Sequence, residues 1–214
     1  MNNVYENNMR FLPILKFWDK YKKIISLLVL TLIGLITFFI INKQINKYQS
    51  EQAALIYNDW KTELLSEEPN IENLNSLLDE FLKSYKKTGY TQLALLEKAN
   101  LDAKLKNYDE ALYNFNELIM LTDGARDNKI FNKISRVSAS RILLSLERYD
   151  EALSLIEKYS LGDTNAPIHE LAGDILFKQG KVNLAINQYE AAEEKYTDQT
   201  SKSIISMKIA SISN

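Results

Sequence analysis

The side chains that most often carry out catalysis or bind metals are scarce in this chain. It has 214 residues, one histidine (His169) and no cysteine. Without cysteine there is no thiolate nucleophile, no thiolate zinc site and no disulfide. A single histidine also lacks the spaced partner that base catalysis or metal binding needs. We therefore predict that the chain is not an enzyme and that it binds no cofactor or metal.

Two pairs of acidic residues are the other groups whose spacing deserves a test. Glu67 and Glu68 are adjacent, as are Glu193 and Glu194. Residues on one face of a helix are three or four positions apart, so adjacent carboxylates diverge. We interpret both pairs as solvated surface. Glycine-rich phosphate loops and nucleophile motifs are also absent from the sequence, which leaves binding as the function to explain.

One apolar segment stands near the start of the chain. Residues 24–41, IISLLVLTLIGLITFFII, include no charged residue. A helix rises ~1.5 Å per residue and the hydrocarbon core is ~30 Å thick, so about 20 such residues can span it. A buried core helix and a removable signal peptide are the alternatives. The run exceeds the ~7–15 apolar residues of a signal peptide, and no small-residue cleavage site follows, which favours a permanent transmembrane helix.

Basic residues are distributed unevenly around this segment. Five lysines and arginines precede it, whereas only Lys43 and Lys47 follow it closely. Because positive flanks stay in the cytoplasm, we expect residues 1–23 to be cytoplasmic, 24–41 to span and 48–214 to be translocated. Residues 48–214 include more acidic than basic residues, and the basic residues are interspersed among the acidic ones. Nucleic acid is therefore not an expected partner.

A sequence motif is repeated within residues 48–214, the region expected to be translocated. LKNYDEALYNF (105–115) returns as LERYDEALSLI (146–156), and GDILFKQGKVNLAINQYEAA (173–192) is a third copy. Ala111, Ala152 and Ala185 are the equivalent alanines, 41 and 33 residues apart. Such periods with helical spacing indicate stacked helix–turn–helix units. The predicted fold is all-α, a transmembrane helix followed by a tetratricopeptide-repeat-like α-solenoid of helical hairpins.

Small residues are expected where the two helices of each unit approach closely. In each second helix an alanine is predicted to face a small residue of the first, and a larger residue four positions later fills the gap to the next unit. Three unrelated amphipathic helices are the alternative. The predicted packing residues are Ala99, Ala111, Phe115, Ser140, Ala152, Ile156, Gly173, Ala185, Tyr189 and Ala192.

Glycine, proline and helix-capping residues predict about eight helices after the transmembrane helix. The first is expected to begin near Tyr48, and SIISMKIASI is expected to cap the array as its terminal helix. The remaining boundaries are predicted at Pro69–Asn70, at Thr88–Gly89 as the end of the second helix, at Gly124, at Gly162, and at a cap on Thr164 or Asn165 before Pro167.

The third copy resembles a tetratricopeptide repeat. That pattern places a small residue in the first helix, alanine in the second, an aromatic four residues later and alanine three beyond, matched by Gly173, Ala185, Tyr189 and Ala192. The earlier copies depart from it, because they have Ala99 and Ser140, lack the usual tryptophan and are 41 residues apart, against a usual ~34.

The whole chain, from about Phe17 onward, resembles the YfgM family of ancillary subunits of the SecYEG translocon. The segments that carry this resemblance are FWDKYKK, SEQAALIYNDW, LKSYKKTGYTQLALLEKANLDAKLKNYDEAL and SIISMKIASI. It implies a single-pass protein of the bacterial inner membrane, with its repeat domain in the periplasm, that links the translocon to periplasmic chaperones and assists emerging proteins. A membrane-tethered scaffold or regulator of cell division or envelope stress signalling is the alternative.

First helices of successive units line one face of such an array, and their polar residues are free to contact a partner. We predict a mixed polar and apolar groove for a protein segment there. Ordinary exposed helix residues are the alternative interpretation. The predicted groove residues are Asn100, Lys104, Arg141, Leu144, Asp174, Phe177 and Lys178.

Overall fold

A computed structural model describes residues 3–124, 128–160 and 165–212 of the chain. Over these ranges the only regular elements are nine helices, so the all-α prediction is confirmed. They are α1 (Asn3–Leu64), α2 (Ile71–Ser84), α3 (Gly89–Lys104), α4 (Tyr108–Leu121), α5 (Lys129–Ser145), α6 (Tyr149–Ser160), α7 (Ala166–Lys178), α8 (Val182–Lys195) and α9 (Gln199–Ile212).

The chain divides into two compact units, Met1–Gln52 and Ala53–Asn214. In the first, α1 is long and apolar enough to cross a membrane. The Thr31 and Thr37 hydroxyls and the Asn42 amide each donate to the carbonyl four residues earlier, at 2.9, 2.9 and 3.0 Å. These polar groups are thus satisfied within the helix, as a hydrocarbon environment requires.

Two of the predicted helix boundaries are wrong. No separate helix begins near Tyr48, because α1 continues without a break to Leu64; residues 42–64 contain neither glycine nor proline to interrupt it. Thr88 does not end the second helix either. α2 stops at Ser84, and Thr88 caps α3 by accepting a hydrogen bond from the Thr91 amide. The predicted stop at Gly162 and the alternative cap Thr164 lie outside the described residues.

The second unit is built from successive helical hairpins, α3–α4, α5–α6 and α7–α8, with α9 packed on α8. One apolar core runs from α3 to α7, a second lies at the α1–α2 end, and a third joins α7, α8 and α9. There, the Trp60 side chain is fully buried and its Nε1 donates to the Leu74 carbonyl at 3.3 Å. The Tyr57 ring stacks on Trp60 with a centroid separation of 6.0 Å. Each element therefore buries its apolar face against its neighbours in the chain.

The three hairpin turns share one backbone conformation. Lys106, Glu147 and Gly180 occupy equivalent positions and have φ of 63°, 61° and 75°. The N–H of each donates to the carbonyl three residues earlier, and the next N–H donates to the carbonyl five residues earlier, at 2.8–3.1 Å. This is the Schellman helix ending, which satisfies carbonyls at the end of the first helix. Only the third turn has the glycine that this conformation favours.

The ten residues chosen from the repeat pattern all lie in the interior. Ser140 on α5 is in contact with α6, because its hydroxyl donates to the Ala152 carbonyl at 2.8 Å. Gly173 on α7 lies against the ring of Tyr189. A Cβ atom at Gly173 would come within 2.5 Å of Tyr189 Cε1. Here the absence of a side chain is what permits the aromatic ring to pack on the helix.

Candidate protein-binding groove

The seam between α5 and α7, the first helices of two successive hairpins, carries two surface clefts. The Phe177 cleft, of about 390 Å³, lies at the C-terminal ends of the two helices, between Leu144, Tyr149, Asp174, Phe177 and Lys178. The Arg141 cleft, of about 260 Å³, lies toward their N-terminal ends, between Lys133, Ile134, Val137, Arg141, Pro167 and Ile168. Both combine apolar walls with charged edges, as protein-binding surfaces do.

The structure brings together some of the predicted groove residues and separates others. Leu144, Asp174, Phe177 and Lys178 line the Phe177 cleft, and Arg141 lines the neighbouring one. The other two, Asn100 and Lys104, are exposed on α3 and line neither cleft. The groove that the geometry supports is thus the α5–α7 seam and does not extend to α3.

A charged network joins this seam to the C-terminal helix. Lys208 on α9 donates to Glu170 at 2.8 Å and to Asp174 at 2.6 Å, both on α7. The hydroxyl of Tyr196, the residue that follows α8, donates to Glu170 at 2.6 Å, and the hydroxyl of Tyr189 on α8 donates to Asp174 at 2.8 Å. Asp174 is therefore engaged within the domain through Oδ1 and also lines the Phe177 cleft.

The pKa values of this network follow from competition between burial and hydrogen bonding. Desolvation alone raises the pKa of Glu170, but hydrogen bonds from Lys208 and Tyr196 outweigh it and hold that pKa below its ordinary value. Desolvation lowers the pKa of Lys208, and hydrogen bonds to Asp174 and Glu170 reverse this and raise it. Burial, reinforced by the carboxylates, raises the pKa of both tyrosines. Glu170 and Lys208 thus keep the charges that hold α9 on α7.

Several of these residues were missed by sequence reasoning. Glu170 and Asp174 are four apart and so share a face of α7, which was a usable signal. Lys208 lies inside ISMKI, a segment that carried the family resemblance. The contact itself is long-range, however, spanning 38 residues from Glu170 to Lys208. Helical spacing alone does not predict a pairing at that separation.

The residues first considered for chemistry lie apart from the groove. His169 is buried, and its Nδ1 is 2.9 Å from Oε1 of Gln188. Glu193 accepts a hydrogen bond from Ser206 of α9, whereas Glu194 is exposed. Within the described ranges no group of three or more His, Asp or Glu residues is placed to hold a metal ion.

Comparison with known proteins agrees with this architecture. The family described as tetratricopeptide repeat-like domain matches residues 15–214. An ancillary SecYEG translocon subunit from Aggregatibacter actinomycetemcomitans is 23% identical over 188 residues, which cover 86% of this chain and 87% of that protein. The resemblance to the YfgM family that was drawn from the sequence is thereby confirmed. Since the match takes in nearly the whole chain, this protein belongs to the tetratricopeptide repeat-like domain family.

Proposed function

We propose that this chain is an ancillary subunit of the SecYEG translocon in the bacterial inner membrane. In this proposal α1 crosses the membrane once with its N-terminus in the cytoplasm, and the helical hairpins lie in the periplasm. The protein has no catalytic role. It holds a binding surface beside the translocon and links it to periplasmic chaperones that receive emerging secreted or outer-membrane proteins.

The observation that carries this proposal is the extent of the match to the translocon subunit. The similarity covers 86% of this chain and 87% of the relative, and the family match over residues 15–214 includes both the apolar part of α1 and the hairpins. A repeat domain recruited to an unrelated task would share only the hairpins. Agreement over the anchor as well therefore supports a common membrane context and a common class of partner.

The α5–α7 seam is the surface that we assign to the soluble partner. It lies on the first helices of two hairpins, which is the face that repeat arrays present to ligands. Its exposed Phe177 and the partly exposed Leu144 offer apolar area. Basic Lys178 and Arg141 are exposed at its edges. Such a mixed surface fits transient protein binding better than a permanent, wholly apolar interface.

Site-specific photo-cross-linking in membranes tests this function. A photoreactive residue at Thr37 probes the apolar segment of α1, and one at Arg141 probes the seam; a third at exposed Asn58 serves as a control away from both. We expect translocon subunits among the Thr37 adducts, and a chaperone or a nascent secreted chain among those of Arg141. Adducts confined to division or signalling proteins would contradict the translocon function and favour the envelope scaffold.

Topology has a separate test that exploits the absence of cysteine. Single cysteines introduced by Asn8→Cys and Ser203→Cys are unique labels. In spheroplasts, a membrane-impermeant maleimide should modify the Ser203→Cys protein, and the Asn8→Cys protein only after lysis. Labelling in the reverse order would contradict a periplasmic repeat domain.

A further inference from the structure

The Arg141 cleft differs in chemistry from the rest of the domain surface. Its walls include Ile134, Val137, Pro167 and Ile168, and its charged members, Lys133 and Arg141, are both basic. Ile134 is 41% exposed, and one turn earlier on α5 Ile130 is 69% exposed, so apolar area continues beyond the cleft. Residues 48–214 as a whole carry more acidic than basic side chains. This cleft therefore presents an apolar, positively charged patch on a mostly acidic domain.

Neither basic group has a carboxylate partner among the residues that the structure describes. Lys133 Nζ lies 5.7 Å from the centre of the Tyr159 ring, a cation–π contact that holds its position and leaves its charge unneutralised. Arg141 is close enough to Glu170 to lower that residue's pKa. The two oxygens of Glu170, however, already accept hydrogen bonds from Lys208 and Tyr196. Arg141 acts on Glu170 only electrostatically and forms no hydrogen bond or ion pair with a residue that the structure describes, so its N–H donors remain available.

Other basic residues of the hairpins do form ion pairs with carboxylates. Arg136, also on α5, donates to Asp123 at 3.2 Å, and Arg148 forms a two-fold contact with Glu151 at 2.7 Å. Lys133 and Arg141 thus lie together at the end of the seam where Ile134 is exposed. Two donors beside an apolar surface fit a ligand that supplies carboxylates and apolar side chains together.

We propose that the Arg141 cleft binds a polypeptide segment in which apolar side chains are flanked by aspartate or glutamate side chains. The inference rests on the proposed function only in requiring that the α5–α7 seam binds protein. Apolar side chains of the segment pack on Ile134 and Val137, and its carboxylates meet Arg141 and Lys133. Because the surrounding domain is acidic, it repels such a segment elsewhere and directs it to this cleft.

Matched peptides test this assignment with the purified full-length protein in nanodiscs. Three 12-residue peptides, acetylated and amidated to remove terminal charges, share an isoleucine and a leucine three positions apart and differ at the two residues between them. Both of these positions are Glu in the first peptide, Gln in the second and Lys in the third. By fluorescence anisotropy at low salt we expect the Glu peptide to bind about tenfold more tightly than the Gln peptide, with the Lys peptide weakest.

Variants then locate the binding. Arg141→Glu should reduce the affinity for the Glu peptide about tenfold and raise that for the Lys peptide, since the charge pairing is reversed. Ile134→Ser, at a partly exposed position outside the core, should weaken all three peptides alike. Lys104→Glu is the matched control, because it makes the same charge change on α3 and Lys104 does not line the cleft; it should leave all affinities unchanged.

Equal affinity for the Glu and Gln peptides would overturn the proposal, as would unchanged binding in Arg141→Glu. So would an equal loss in Lys104→Glu, which would reveal a nonspecific response to net charge. The translocon function is read separately, from the Thr37 adducts, which do not involve the peptides. Loss of the charge preference with Thr37 adducts intact would reject this inference alone, whereas loss of those adducts with the preference intact would reject the translocon function alone.

Discussion

The α3–α4 and α7–α8 hairpins occupy equivalent places in two repeats, yet their interiors are built differently. Inside the first, Lys98 and Asp102 form an ion pair at 2.7 Å with side-chain exposures of 2% and 1%, and Asn114 of α4 donates to the same carboxylate at 3.0 Å. The equivalent positions are Ala139 and Leu143 in α5–α6 and Ala172 and Leu176 in α7–α8, all buried.

This difference separates what the fold requires from what one repeat has added. Two of the three hairpins close on apolar residues at these positions, so stacking does not depend on the ion pair. In α7–α8 the charges lie instead at the edge, where Lys208, Glu170 and Asp174 are 24–33% exposed. A buried pair and a partly exposed one contribute very differently to stability, because desolvation penalises an unmatched charge only in the interior.

Breaking the buried pair should have the largest effect. Asp102→Leu leaves Lys98 charged in the core without a partner, and we expect a loss of about 3–5 kcal/mol in the free energy of unfolding. Replacing both residues by those of the equivalent positions, Lys98→Ala with Asp102→Leu, should recover most of that loss. Denaturant unfolding of the full chain in micelles, followed by circular dichroism, measures both. A double variant as unstable as the single one would show that the ion pair is needed for the hairpin itself.

Adding a side chain at Gly173, under the Tyr189 ring, should have the second-largest effect on stability. Gly173→Ala places a methyl group 2.5–2.6 Å from two ring atoms of Tyr189, so the ring or the helix must move, at a cost of about 1–3 kcal/mol. Thermal unfolding monitors the change. Gly89→Ala is the control, since no atom lies within 4 Å of the added Cβ; a similar loss there would exclude the close approach as the cause.

Removing the edge charge should cost less. Lys208→Met abolishes both ion pairs with α7, and we expect a loss of about 1 kcal/mol, confined to α9. Amide hydrogen exchange should therefore accelerate in residues 199–212 and remain unchanged in α3–α4. Faster exchange throughout the domain would mean that α9 supports the whole array.

The same network predicts a pH dependence of α9 docking. The stabilisation from Glu170, whose pKa is lowered, is fully present above its ordinary pKa of 4.5 and is lost as the pH falls through the folded-state pKa. The stabilisation from Lys208, whose pKa is raised, is fully present below 10.5 and is lost as the pH rises through the folded-state pKa. Limited proteolysis of α9 should therefore be slowest between these limits. Equal acid sensitivity in Lys208→Met would argue against the network as the cause.

The smallest effects should come from the hairpin turns. Lys106→Gly and Glu147→Gly place glycine at positive φ and should each stabilise the domain, by up to about 1 kcal/mol. Gly180→Ala should destabilise it by a similar amount. Melting temperatures of the three variants, compared with one another, test the prediction. A loss of stability in either glycine variant would show that Lys106 or Glu147 contributes more through its side chain than its backbone costs.

Much of this architecture could be predicted from spacing, because helix periodicity and small residues at close contacts are local signals. The all-α fold and the three hairpins follow from them. Burial of Lys98 and Asp102 was not predictable in that way, because charged residues four apart on a helix usually lie on a solvated face. The Asn114 amide that donates to Asp102 comes from another helix, α4. The limits of the groove were likewise set by tertiary packing, which left Asn100 and Lys104 outside the clefts and engaged Asp174 with α8 and α9.

The shared turn also bears on how such chains diverge. Lysine, glutamate and glycine occupy the same backbone position in the three turns, so the joint between paired helices is set by main-chain hydrogen bonds that residues other than proline can supply, at a small cost where the residue is not glycine. Selection acting on a repeat of this kind can replace side chains at the joint without altering its angle. Descent from a common ancestor can therefore preserve the stacked architecture while amino-acid identity falls. This protein and the translocon subunit that it resembles are 23% identical.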